Sequence, residues 1–173
     1  HRNARGRGGR PVVPRGRHRT FLELEAGLLE RGGARLVVCV SGLIRDELAQ
    51  AYPACRPRLR LIPNGVDLDA FHPRARAGPG RALRVELDLP AGVPLLTFPG
   101  RDPWRKGLPT RLAALAALRS RPWHLLVAGL RSPSAWMRRA GLPASAATFR
   151  AHVDPVALAS ASDLCLLPTW RDP

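Results

Sequence analysis

The chain has 173 residues, with 28 Lys+Arg against 13 Asp+Glu and a net charge of +15. A hydrophobic content of 45% supports a packed core and excludes wholesale disorder, and no apolar run approaches the ~18 residues of a membrane span. The opening, His1-Arg2-Asn3-Ala4-Arg5-Gly6, has no methionine and no apolar stretch, so it reads as a chain entered midway and not as a signal peptide. Of the cations, 27 are arginine and one is lysine, Lys106. Together with abundant Ala, Pro and Gly, this reads as compositional drift and not as a nucleic-acid footprint. Cys39, Cys55 and Cys165 form no CxxC and have no histidine at metal-ligand spacing. They read as reduced structural thiols, as expected of a cytosolic protein.

Residues 1–19 are rich in Arg, Gly and Pro and lack apolar periodicity. They read as a solvated tail, or alternatively as a patch for phosphate-rich surfaces. Thr20 and Glu23 stand three apart, the spacing of a capping box. The stripe Phe21, Leu24, Leu28, Leu29 predicts a helix that Gly32-Gly33 stops. Residues 36–40 form a continuous apolar run, expected as a buried parallel strand. Ser41 is placed to cap a helix over 43–51, and 60–62 reads as a strand closed by Pro63-Asn64-Gly65. Residues 72–80 read as a linker. Beyond it the pattern predicts a helix at 81–87, a strand at 94–98, a loop to Gly107, and an Ala/Leu helix at 108–118 with Pro109 in its first turn. A strand at 123–128, a helix at 133–140, a weak strand at 147–150, a short helix at 155–161 and a strand at 164–167 follow. Alternating strands and helices with apolar strands indicate α/β units on parallel sheets, where ligands bind at the C-terminal ends of strands.

The densest chemistry lies in Gly100-Arg101-Asp102-Pro103-Trp104-Arg105-Lys106-Gly107. It follows a strand and opens a helix, so backbone N–H groups and adjacent cations make it a candidate anion site. It lacks the GxxxxGK[ST] spacing of a Walker loop. An exposed basic loop is the plainer reading of the same residues. His152 and Asp154 offer an acid/base pair without a third partner, and Glu23, Glu25 and Glu30 read as a solvated helix face. No GxSxG, HExxH, Cys–His or GxGxxG pattern occurs.

Taken in order, several segments resemble one family. Phe21–Glu25, Val37–Ser41 and Ile62-Pro63-Asn64-Gly65-Val66-Asp67 with Phe71-His72-Pro73 resemble the end of the N-terminal domain of GT-B retaining glycosyltransferases of family four. Gly100, Arg105-Lys106-Gly107 and the Ala/Leu helix resemble that family's donor-diphosphate loop. Leu125–Gly129, Phe149–Val153 and Ala161–Thr169 resemble its later blocks. The Leu-Glu-x-Glu helix and the Trp170-Arg171-Asp172-Pro173 ending resemble the subgroup that includes lipopolysaccharide core glucosyltransferases.

The resemblance implies an α/β chain of GT-B type, with two partial Rossmann-like domains on parallel sheets, both incomplete. Residues 1–19 would be a basic segment, 20–73 the end of an acceptor-side domain, and 74–173 the first part of a nucleotide-sugar-binding domain. The implied activity is transfer of a sugar from a nucleotide donor to an acceptor hydroxyl with retention, in lipopolysaccharide or other cell-envelope glycan synthesis. Arg105 and Lys106 would grip the donor diphosphate as catalytic cations, Gly100 would admit the phosphates, and His152 and Val153 would border the nucleobase. The donor would be a UDP-sugar, with no metal and no other cofactor. The acceptor would be a glycan or glycolipid, in a cytoplasmic protein whose cationic start fits peripheral contact with the anionic inner face of a membrane. No specific nucleic acid is expected. Ala151 stands where the family has glycine. The family's glutamates seven residues apart would begin just after Pro173, so the 173 residues alone are expected to be inactive. Two other readings compete: a basic module binding nucleic acid or anionic membrane, and a non-catalytic relative acting as a partner subunit.

Overall fold

The structure is a computed structural model and describes residues 16–118, 121–132 and 134–169. The Arg-rich stretch before Gly16 and the Trp-Arg-Asp-Pro ending lie outside the described residues. The chain divides into two compact units that meet at Gly65–Val66, whereas the sequence placed the boundary after residue 73.

In the first unit, α1 (Arg17–Leu29) leads to β1 (Val37–Cys39), α2 (Gly42–Ala51), a 3-10 turn (Pro53–Arg58) and β2 (Leu59–Leu61). The two strands pair in parallel, Val37 opposite Leu59 and Cys39 opposite Leu61. Leu29, Cys39, Tyr52, Cys55 and Leu59 form the core. Ser41 caps α2 as its sequence suggests, its Oγ accepting from the Ile44 N–H at 3.2 Å. The capping box at Thr20 does not form. The helix starts at Arg17 instead, and Glu23 pairs with Arg19 one turn back at 3.0 Å. Arg58 donates to the carbonyls of Leu28, Leu29 and Ala34, satisfying acceptors left open at the end of α1. Cys39 and Cys55 are buried free thiols, and burial raises the Cys39 pKa, so that thiol stays protonated and unreactive.

The second unit is a doubly wound sheet. Its elements are α3 (Pro79–Glu86), β3 (Leu95–Pro99), α4 (Leu108–Ala117), β4 (His124–Ala128), α5 (Ser134–Arg139), β5 (Ala147–Arg150), α6 (Pro155–Ala161) and β6 (Leu164–Cys165). The strands lie in the order β5-β4-β3-β6, all parallel. Alternation along each strand splits the core between the two faces. Leu96, Phe98, Leu125 and Val127 meet Leu112, Leu115 and Met137 from α4 and α5. Leu95, Leu126 and Ala128 meet Leu83, Leu158 and Ala161 from α3 and α6. The connections wind outward from β3 in both directions, so the topological switch point lies between β3 and β6.

Two expectations need correction. The linker at 72–80 is folded chain: a 3-10 turn at Pro73–Arg76 and the start of α3 at Pro79. Its composition misled because the segment is held by Arg76, which donates to the Ser162 carbonyl at 3.0 Å and to Asp163. The last strand is two residues long, not four. Pairing stops at Thr97 opposite Cys165, and the Thr97 carbonyl accepts from the buried Arg111 guanidinium. Cys165 is a free thiol exposed on this short edge strand.

Asp163 ties this unit together. Its Oδ2 accepts from the Leu95 N–H at 2.7 Å and from Arg84 at 2.9 Å, its Oδ1 accepts from Arg76, and its own N–H donates to the Leu95 carbonyl. Burial alone would raise its pKa, but the Leu95 N–H and the two guanidinium groups outweigh that and hold the carboxyl below its usual range. Asp163→Ala is expected to destabilise the unit by about 2–3 kcal/mol, because charged hydrogen bonds are lost and two arginines are left unpaired. Urea unfolding followed by circular dichroism checks this.

His124, at the start of β4, lies 3.0 Å from Thr148 Oγ1, and burial lowers its pKa from 6.5. The folded state therefore binds the proton less readily than the unfolded chain. The contribution of neutral His124 is full above pH 6.5 and is lost as pH falls through the lowered folded-state value. Unfolding midpoints at about pH 5 and about pH 7.5 are expected to differ less in His124→Gln than in the parent chain.

Candidate anion site at the switch point

β3 delivers the chain to Gly100 at the C-terminal edge of the sheet, and residues 101–107 cross the switch point before α4 begins. The backbones crowd here. A Cβ on Gly129, just after β4, would lie 2.8 Å from the Gly100 carbonyl oxygen, and one on Gly100 would lie 3.2 Å from Lys106 Cγ. The stem of Lys106 thus lies against Gly100 at the end of β3. At Gly107 the backbone turns left-handed with φ 75°, and a Cβ there would stand 2.0 Å from the Pro168 carbonyl oxygen of the segment after β6. Glycine is required on both counts.

The loop is held by its own backbone. The N–H groups of Lys106, Gly107 and Leu108 donate to the carbonyls of Asp102, Trp104 and Pro103, and the Arg105 N–H donates to Asp102 Oδ1 at 3.1 Å. This changes the sequence picture of open amides at a helix start: those N–H groups hold the loop's shape, and the charge facing an anion comes from side chains. Trp104 leans on Trp136 of α5 with ring centroids 5.1 Å apart, and Arg139 stacks over Trp104. These contacts anchor the loop to the helix layer.

Three cations share this loop. Arg105 has its Nε 3.5 Å from Asp102 Oδ2, so part of its charge is offset locally. Arg101 is exposed, directly follows Gly100 and has no carboxylate partner among the described residues. Sequence reading passed over Arg101 in favour of the Arg105-Lys106 pair. Its position two residues beyond the end of β3 was the signal that could have found it. Beneath them Arg111 is 2% exposed, lies over the Phe98 ring at 5.7 Å, and leaves Nε and Nη2 without partners among the described residues. Burial pulls its pKa down to about 10, so it remains charged at neutral pH. No sequence pattern marked it out among 27 arginines.

The expected site residues separate into two places. Gly100, Arg105 and Lys106 converge around the β3–α4 loop. His152 and Val153 follow β5, two strands away on the same edge of the sheet. Val153 packs against the core of the α3/α6 face. His152 lines an open cleft of about 500 Å3 with Glu86 and Arg150. Asp154 is not a partner for it, because its Oδ1 caps α6 by accepting from the Ala157 N–H at 2.7 Å. Among the described residues no helix is long and apolar enough to cross a membrane, and no cluster of three metal-ligating side chains occurs.

Gly107→Ala is expected to cost about 2 kcal/mol or more, from the left-handed backbone and the overlap with Pro168. Thermal and urea unfolding of the variant check this.

Known proteins resemble this chain in sequence and fold. Residues 2–70 match the model of Glycosyltransferase Family 4. A stretch of 82 residues is 34% identical to alpha-maltose-1-phosphate synthase of Mycolicibacterium smegmatis, covering 47% of this chain and 21% of that protein. The structure of WaaG, a glycosyltransferase involved in lipopolysaccharide biosynthesis, superposes with a TM-score of 0.77 at 23% identity, over 91% of this chain and 44% of that one. Anabaena Alr3699/HepE, solved with UDP and glucose, superposes with a TM-score of 0.67 at 21% identity, over 87% of this chain and 42% of that one. At such identities the two solved structures speak to the fold. The chain spans about a fifth of the curated relative and less than half of each solved protein. Its parallel sheets and motif order agree with these likenesses: residues 2–70 match the Glycosyltransferase Family 4 model, and the fold is that of GT-B glycosyltransferases such as WaaG.

Proposed function

We propose that this chain contributes the diphosphate-gripping part of a nucleotide-sugar site, in an enzyme that moves a sugar from a UDP-type donor to an acceptor hydroxyl. The observation that carries the reading is the placement of Lys106 across Gly100 at the switch point, with Arg101 and Arg105 in the same loop. Open parallel sheets bind their ligands there. As the bond between sugar and nucleotide breaks, negative charge grows on the leaving diphosphate. Fixed cations at that point stabilise the transition state more than the ground state. Lysine suits this role as a compact charge on a stem already packed against backbone. UDP bound to the structurally similar HepE supports the choice of donor.

His152, on the same edge of the sheet, is available to the nucleoside end of such a donor, and Val153 acts there through the shape of the loop. Retention of configuration, a glycan or glycolipid acceptor and a role in cell-envelope synthesis rest on the family resemblance. The reading requires no metal, because the loop itself supplies the cations.

Titration calorimetry with UDP tests the site directly. Lys106→Met keeps the aliphatic stem over Gly100 and removes the charge. UDP binding is expected to weaken about tenfold or more, with the unfolding midpoint unchanged. Equal affinity in the parent chain and the variant would remove Lys106 from the site.

A further inference from the structure

A second basic cleft opens at the other end of the same unit. It encloses about 760 Å3 between the 3-10 turn at Pro73–Arg76, α3, and the turn at residues 89–94 that leads into β3. Arg74, Arg76, Arg81 and Arg84 line it, with Asp163 as its one acidic lining residue. It lies at the N-terminal ends of β3 and β6, whereas the Lys106 loop follows the C-terminal end of β3. Five residues of strand, about 16 Å, separate the two.

The four guanidinium groups play two roles. Arg76 and Arg84 are fixed in place. Arg84 donates to the Ala161 carbonyl at 3.0 Å, to the Val93 carbonyl at 2.6 Å and to Asp163, and Arg76 donates to the Ser162 carbonyl and Asp163. Asp163 already accepts from three donors, so it cannot neutralise the rest. Arg74 reaches only Asp69, at 3.9 Å and with that carboxylate fully exposed. Arg81, in the first turn of α3, has no carboxylate partner among the described residues. The opposite wall is apolar, built from Leu89, Pro90, Val93 and Pro94. A cleft of this size with a cationic floor and an apolar wall matches an anion carried on a compact organic body. Guanidinium forks match phosphate oxygens in geometry as well as charge.

We propose that this cleft binds a small phosphate monoester at a site separate from the donor loop, with Arg74 and Arg81 contacting the phosphate and the 89–94 turn covering the organic part. Arg76 and Arg84 are positioning residues that hold the floor through Asp163. The proposal stands independently of the donor reading, because it uses none of the residues at the switch point. A ligand here would bridge the 3-10 turn, α3 and the entry to β3, the segments that Asp163 already joins.

Phenyl phosphate serves as the probe, titrated into the 173-residue chain and followed by amide NMR shifts, with inorganic phosphate as a comparison. Saturable shifts are expected at Arg81 and Gly92, with tighter binding of phenyl phosphate than of inorganic phosphate. Arg74→Gln/Arg81→Gln is expected to weaken binding at least about tenfold, and Lys106→Met to leave it unchanged. Three results would overturn the proposal: shifts confined to residues 100–107, no saturation, or equal weakening by the control pair Arg45→Gln/Arg60→Gln in the first unit. The last would mean that the chain's general positive charge attracts the probe. Equal binding of the two phosphates would overturn the role of the apolar wall.

Discussion

The carboxylate of Asp163 joins chain segments that are far apart in sequence: the 3-10 turn through Arg76, α3 through Arg84, and the first residue of β3 through the Leu95 N–H. Its own backbone closes the loop by donating to the Leu95 carbonyl. This sets the register of β6 on β3, and with it the switch point. The arrangement is a half-exposed ion network with good hydrogen-bond geometry. Its value lies less in Coulomb energy than in satisfying a strand-end amide and two guanidinium groups at once.

Everything at the other edge depends on that register. Gly107 touches the segment after β6, and Gly100 and Gly129 touch each other across β3 and β4. A one-residue slip of β6 would move Pro168 away from Gly107 and turn Thr97 and Cys165 to different faces. The anion loop is therefore built from backbone contacts that only glycine permits, and its charge comes from side chains on top of them. Arg111 beneath the loop adds a buried positive charge that ends the β3–β6 pairing by taking the Thr97 carbonyl. Nothing in the described residues neutralises that charge, and burial holds its pKa down.

The two ends of the sheet thus hold cations for different reasons. At the C-terminal edge they gather on one loop, supported by Trp104 against Trp136. At the N-terminal edge they come from two segments, the 3-10 turn and α3, and converge because Asp163 draws Arg76 and Arg84 together. Abundant arginine in the composition supplies the residues, while the fold determines which of them meet.

Much of the architecture was legible in the sequence. Short apolar runs at 94–98 and 123–128 form strands buried on both faces, and Ser41 caps α2, because these features act through local backbone chemistry and simple periodicity. The order of motifs around Gly100, Arg105-Lys106-Gly107 and Leu125–Gly129 was enough to indicate the family. The sequence failed where a distant partner decides the outcome. Residues 72–80 have the composition of a linker, yet they fold because Arg76 finds Ser162 and Asp163. Residues 164–167 have the composition of a strand, yet pairing ends at Cys165, where Arg111 takes the Thr97 carbonyl. Thr20 and Glu23 have capping-box spacing, yet Glu23 pairs with Arg19 within a longer helix. Local pattern determined which segments become helix or strand and where a cationic loop would follow a strand. Tertiary structure alone decided which charges are paired, which are buried and which remain for a ligand, because ion pairs and hydrogen bonds between remote segments depend on distances that residue spacing does not encode.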